Sequence, residues 1–273
     1  MASIPAVAPR VQINPGTMIP SFSLWKREVV RFYRQRARVI GVILSPLLFW
    51  IVIGSGFGRS FRGGAGAGEH YLAFFFPGAL TMIVLFTSIF TMMSVIEDRN
   101  EGFLLSVLVA PVSRSVIVLG KVLGGTTLAA VQGLIFLVFA PLIGVHFTLT
   151  SFLLIALTVF LVAFSLTALG FAIAWPMDST QAFHAIINLF LVPLWMLSGS
   201  MFAVKDASKW LGYLMLINPL TYGTEAIRGL MYPEMAEPNF PVGMDLAILG
   251  GFALVMFAIA FALANRRTTR PSA

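Results

Sequence analysis

The sequence predicts an all-α membrane protein with six transmembrane helices, and three observations carry that expectation. Of its 273 residues, 58% are hydrophobic and only 11% are charged, too little polar surface for a soluble globule of this size. Apolar runs recur at lengths of about 20 residues, which is what a helix rising about 1.5 Å per residue needs to cross a hydrocarbon core. Lys and Arg gather in alternate connections, the pattern of a multi-pass protein that keeps its positive loops inside.

Residues 1–21, with Pro5, Pro9, Pro15 and Pro20, read as a flexible cytoplasmic N-terminus. No apolar signal core is visible there, so the first span is expected to act as the insertion signal. Residues 22–38 read as an amphipathic helix. Arg27, Arg31, Arg34 and Arg38 recur at spacings of four, three and four, while Phe22, Trp25, Val29 and Phe32 recur at three, four and three. These are opposite faces of one helix lying in the membrane interface, with Trp25 on the apolar side and the arginines toward anionic headgroups of membrane lipids. A simple topology anchor is the plainer reading of the same residues. No aromatic-basic module accompanies them, so nucleic acid is not an expected partner.

The transmembrane domain is expected over 39–264. Its six spans run Val39 to Phe57, Tyr71 to Ile96, Ser115 to Val145, Ser151 to Trp175, Ala182 to Phe202, and Asp245 to Ala264. An even number places both termini on one side, and residues 265–273 form a basic tail there. That side carries thirteen Lys and Arg residues against five on the other, which assigns the termini to the cytoplasm.

Glu97, Asp98, Arg99, Asn100 and Glu101 form the densest charge cluster, between spans two and three. Each Asp or Arg at mid-bilayer costs about 2.5–3.5 kcal/mol, so the cluster is expected in water on the cytoplasmic side. Gly102 to Arg114 follows as a short amphipathic helix stopped by Pro111, a piece that could be shown to a soluble partner. On the outer side, Trp210 to Ile217 and Leu220 to Met231 make two helical runs broken at Asn218-Pro219, each too short to span. They read either as re-entrant helices dipping in from the outer face or as a loop folded back over the bundle.

Little here suggests catalysis. The chain has no cysteine, which excludes a thiolate metal site or a Cys nucleophile. His70, His146 and His184 make no paired metal spacing with carboxylates, so no metal site is expected. No phosphate-binding Gly-x-x-x-x-Gly-Lys-Ser/Thr occurs, and Gly120-Lys121 is followed by Val122; no Gly-x-Ser-x-Gly elbow is present either. No cofactor is expected. Span cores hold essentially no ionisable residues: Lys121 is read as snorkelling from a cytoplasmic end, Asp178 as lying in a turn, and Asp245 as lying at an outer helix start. This disfavours an ion-coupled antiporter. Gly54-x-x-x-Gly58 and Gly120-x-x-x-Gly124 are weak hints of close helix packing.

The order of these features resembles the membrane subunits of type-2 ABC exporters, which include drug, nodulation-factor and polysaccharide export permeases of bacteria. The residues that carry the resemblance are Glu97-Asp98-Arg99-x-x-Gly102, followed nine residues later by Pro111-Val112-Ser113-Arg114. A second match is Asn218-Pro219-Leu220-Thr221-Tyr222-Gly223 with Glu225, Ala226 and Arg228. The resemblance implies a multi-pass protein of the bacterial cytoplasmic membrane. It implies that the segment after span two is a coupling helix docking on a separately encoded ATP-binding subunit, with Glu97, Arg99, Glu101, Gly102, Pro111, Ser113 and Arg114 at that contact. It also implies a second permease copy, as homodimer or heterodimer, and an outer segment marked by Asn218, Pro219, Tyr222, Glu225 and Arg228. Family members often carry an acidic residue within the coupling helix, whereas Phe103 to Val109 is almost wholly apolar here. Two other classes stand beside this reading: a stand-alone secondary carrier or channel not driven by ATP, and a membrane enzyme acting on lipids, for which no polar cluster is apparent.

Overall fold

Local chemistry sets most of the helix ends in the computed structural model, which describes residues 18–34, 40–41, 44, 46–53, 67–109, 113–145, 147–233 and 239–266. Among these residues there is no strand. Helix α1 spans Met18–Arg34, and α2 is described at 46–53. Helices α3 (Ala67–Thr91) and α4 (Met93–Asn100) run on from each other through Met92. Gly102, at φ +77°, turns the chain into α5 (Phe103–Val109). Next come α6 (Arg114–Leu137) and α7 (Leu149–Ala174), the latter opened by a reciprocal Thr148–Ser151 capping box. Helix α8 (Thr180–Trp195) starts at a Ser179 cap and ends in a π-helical turn over Met196–Ser200. Helices α9 (Lys209–Ile217) and α10 (Pro219–Met231) meet at Asn218, whose side chain accepts a 3.0 Å bond from the Leu220 amide and donates one of 2.6 Å to the Leu194 carbonyl. Helix α11 spans Val242–Asn265.

Five of the described helical stretches are long and apolar enough to cross a membrane: Tyr71–Asn100, Arg114–Leu137, Leu149–Ala174, Thr180–Ser200 and Val242–Asn265. The expected first span, Val39 to Phe57, falls partly outside the described residues. Two expected boundaries move. The third span was expected to reach Val145, but α6 stops at Leu137 and a short 3₁₀ turn, Ala140–Ile143, follows with Pro141 at its start and Gly144 at φ +79° behind it. Proline cannot continue an α-helix, and that ends the run early. The second was expected to stop at Ile96, but the helix continues to Asn100, so Glu97, Asp98 and Arg99 occupy its last turn instead of a solvated loop.

Helices α3, α6 and α7 pack on one another; α1 lies along α6, and α11 lies along α7 and α10. Phe75, Phe76, Leu80, Ile83 and Phe171 fill the centre with no exposed surface. Helix α10 packs among α3, α7 and α11, with Leu220, Thr224, Ala226 and Ile227 buried and the Thr224 hydroxyl 3.3 Å from that of Thr81.

The close approach of α1 to α6 depends on two glycines. A Cβ at Gly120 would lie 2.5 Å from the Leu24 Cβ, and one at Gly124 would lie 2.8 Å from the Glu28 Cβ. The Gly120-x-x-x-Gly124 spacing therefore opens the groove that seats α1, while Gly54 and Gly58 lie outside the described residues. Gly124→Val is expected to cost about 1–3 kcal/mol through overpacking and to lower the melting temperature in detergent. At Gly250 a Cβ would meet nothing within 4 Å, so Gly250→Val should leave the melting temperature nearly unchanged.

Candidate functional site

Where α1, α4 and α6 converge, seven ionisable side chains form one cluster. Helix periodicity brings them together: Arg27, Glu28 and Arg31 share one side of α1, Ser94 and Asp98 lie one turn apart on α4, and Lys121 sits in the second turn of α6. Lys121 is 1% exposed, and Asp98 is 0% exposed. The Lys121 ammonium donates to Glu28 Oε1 at 2.8 Å, to the Ser94 hydroxyl at 3.0 Å, to the Ser94 carbonyl at 3.3 Å, and to Asp98 Oδ2. Arg27 grips the same carboxylate with both terminal nitrogens, at 2.8 and 2.9 Å, and Arg31 reaches it at 2.9 Å. Arg31 also donates to Glu97 at 2.9 Å and lies 3.6 Å from the more exposed Glu101. The Ser94 hydroxyl donates to Glu28 at 2.9 Å.

Three cations thus face four anions. A carboxylate near the C-terminal end of a helix opposes the helix dipole, and a buried one also loses its hydration; three charged donors on Asp98 offset both penalties. Hydrogen bonding to Asp98 holds the Arg27 guanidinium pKa above its ordinary value.

The cluster reaches α5 as well. The Arg27 guanidinium carbon sits 3.7 Å from the centre of the Phe103 ring, so the first residue of α5 stacks on α1. On the other side, Arg99 donates to the Met177 carbonyl at 2.8 Å, to Asp178 at 3.2 Å, and to the Trp175 carbonyl, tying α4 to the α7–α8 turn. Arg114 donates to the carbonyls of Ala264 and Arg266 at 3.2 and 3.1 Å, at the end of α11. Ser113 precedes α6 and is exposed, and Pro111 lies outside the described residues.

Two expectations change here. The charge cluster was expected wholly in water, yet Asp98 is sealed from solvent because α1 and α6 bring it three charged donors. Lys121 was expected to snorkel to the interface, yet it points inward to Glu28 and Asp98. On α1, the Trp25 indole donates to the Thr127 hydroxyl at 3.0 Å, Arg27 and Arg31 engage α4, Arg34 is exposed, and Arg38 lies outside the described residues. Glu28 and Ser94 were not singled out by sequence reasoning, and Asp98 and Lys121 were named there only as a solvated loop residue and a snorkelling cation. Their signal was present: Thr87, Thr91, Ser94 and Asp98 recur at four, three and four, a polar stripe inside an otherwise apolar span.

At the far end of the bundle, the Tyr222 hydroxyl donates to the Leu216 carbonyl at 2.7 Å. Glu225 accepts a 2.6 Å bond from Asn239, and Arg228 donates to the Gly199 carbonyl at 2.7 Å beneath Phe74. Asn218, Pro219, Tyr222, Glu225 and Arg228 therefore share one end of the fold, opposite the Lys121 cluster. Among the described residues no group of three His, Asp or Glu side chains could hold a metal ion.

Residues 21–232, from α1 through α10, match the family described as ABC-2 type transporter. The chain belongs to that family. It is 28% identical over 250 residues to the transport permease ycf38 of Cyanophora paradoxa, covering 87% of this chain and 86% of that one. It is 26% identical over 249 residues to nodulation protein J of Rhizobium meliloti, covering 90% and 92%. It is 24% identical over 246 residues to the inner membrane transport permease YadH of Escherichia coli, covering 89% and 94%. As an ABC-2 protein with several membrane-crossing helices, the chain is a multi-pass membrane permease of an ABC transporter. The match takes in all three helices that build the Lys121 cluster.

Proposed function

We propose that this ABC-2 permease is the non-catalytic membrane subunit of an ATP-driven exporter in a bacterial inner membrane, the placement named for YadH. It has six spans and cytoplasmic termini, and it works with a second permease copy and a separate ATP-binding subunit. Helix α5 is the coupling helix. It carries Leu105 and Val109 at 62% and 86% exposure while its start is stacked on Arg27, so an apolar face is presented from a braced base. That observation carries the reading. The partner surface is then an apolar groove on the ATPase, ringed by groups that meet Glu97, Glu101 and Ser113, while Arg99 is turned to the α7–α8 connection.

ATP binding draws the paired ATPases together and moves the docked α5. Because α4, α1 and α6 are joined through buried charges, they follow as one piece, and Arg99 carries the displacement to α7 and α8. Helices α9 and α10 close the outer end. The cargo class is amphipathic, lipid-linked or saccharide, following the exporters this family resembles.

The test is whether a neighbouring reading frame encodes an ATP-binding protein, whether the two co-purify, and whether the reconstituted pair transports. Leu105→Asp is expected to abolish co-purification and ATP-dependent transport while leaving the melting temperature of the isolated permease unchanged, since Leu105 is exposed. Transport that proceeds without nucleotide and follows an ion gradient would overturn the reading in favour of a secondary carrier.

A further inference from the structure

Seated on Gly120 and Gly124, α1 meets α6 tightly along one side and leaves a groove of about 580 Å³ along another. Leu119, Leu123 and Thr127, spaced four apart on the neighbouring ridge of α6, form one wall; Met18, Phe22 and Trp25 of α1 form the facing one. The Phe22 and Trp25 rings stack with centroids 5.1 Å apart, which makes the α1 wall a continuous aromatic surface. Two polar groups of the lining are already used. The Trp25 indole donates to the Thr127 hydroxyl at 3.0 Å, and that hydroxyl donates to the Leu123 carbonyl at 2.8 Å. What the groove offers an occupant is apolar surface, in the volume range typical of ligand sites.

Its place in the fold says which apolar molecule is at hand. The α6 wall belongs to Arg114–Leu137, one of the membrane-crossing stretches, so acyl chains are the medium around it. At the α1 end, Met18, Ile19 and Phe22 are 86%, 74% and 61% exposed, an apolar edge that water disfavours. The same helix supplies charge. Arg27 and Arg31 are engaged with Asp98 and Glu97, but Lys26 and Arg34 are exposed and enter no ion pair among the described residues. Lys26 follows Trp25 and stands one turn beyond Phe22, at the rim of the groove. Residues 1–40 hold seven Lys and Arg but one acid, Glu28, which is 6% exposed and faces Lys121. A negative group at this rim therefore meets a cation, with no competing carboxylate from the first forty residues.

We propose that the groove binds one anionic phospholipid, with an acyl chain between α1 and α6 and the phosphate at Lys26. The chain covers the Phe22–Trp25 surface, and the headgroup gives Lys26 the counter-ion that the protein withholds. Occupancy presses α1 onto its two glycines, the seat from which Arg27, Glu28 and Arg31 reach Asp98 and Lys121. The inference rests on the chain being a membrane protein, and not on ATP coupling or on the cargo.

Native mass spectra of the full chain in detergent test it, with phosphatidylglycerol and phosphatidylcholine of identical acyl chains supplied in turn. The expected result is one retained phosphatidylglycerol, bound about fivefold more tightly than phosphatidylcholine, the gain from one lysine at an anionic lipid. Lys26→Gln should erase that preference. Arg34→Gln, two turns further along α1, should leave it intact. Leu123→Trp fills the groove and should abolish retention of both lipids, and phosphatidylglycerol should raise the melting temperature of the wild type but not of this variant. Should Leu123→Trp fail to fold, Met18→Asp at the exposed mouth carries the same readout. Equal retention of the two lipids by the wild type would overturn the proposal. So would equal weakening by Lys26→Gln and Arg34→Gln, which would mean diffuse attraction to a basic helix, or undiminished retention in the groove variants.

Discussion

Lys121→Met is expected to be the most damaging single substitution in the chain. It removes a cation that is 1% exposed and leaves Glu28 with Arg27 and Ser94, and Asp98 with two arginines that are themselves partly solvated. Breaking a buried ion pair from one side costs about 3–5 kcal/mol, because the orphaned charge keeps its desolvation penalty. The remaining partners place the expected loss near the lower end of that range. The double variant Lys121→Met with Glu28→Gln removes one charge of each sign and should recover most of the loss, because the corner returns to its original net charge. Melting temperatures of the two variants and the wild type decide the matter. A single variant as stable as the wild type would show that the cluster does not hold α1, α4 and α6 together.

Arg99→Ala is expected to separate docking from transport. The guanidinium satisfies two carbonyls at the α7–α8 turn, Trp175 and Met177, and pairs with Asp178. Its loss should cost about 1–3 kcal/mol, the penalty of leaving partly buried acceptors unmatched. The functional loss should be larger. The permease should still co-purify with its ATP-binding partner, because α5 and its exposed residues are untouched, while ATP-driven transport falls to background. Arg99→Lys restores the charge but cannot span both carbonyls with one planar group, so it should rescue stability more than transport. Full transport by Arg99→Ala would show that motion reaches α7 and α8 by another route.

Helix type and most spans were legible because a long apolar run has few other ways to satisfy its backbone in lipid. The break at Asn218-Pro219 was equally plain, since proline supplies no amide donor and Asn218 caps the helix behind it. The interior of the charged junction was not. Arg27 and Arg31 look the same in sequence whether they meet headgroups or Asp98, and only the placement of α1 on Gly120 and Gly124 selects the second. Lys121 near a span end reads as snorkelling for the same reason: direction is a tertiary property. Glu28, an acidic residue among arginines, was the one local anomaly that pointed inward. At the opposite end, Asp245 was visible as a helix-start residue, but its enclosure depends on how α10 lies against α11.

Arg114 holds the last turn of α11, and Lys121 holds α1 seven residues further along the same helix, a rise of about 10 Å. The opening turns of α6 are therefore a joint where α1 and α11, the first and last helices among the described residues, are both fastened. Cargo fused to the tail behind Asn265 hangs from that joint, and a reporter protein attached there should load the same beam that the nucleotide motor is proposed to swing.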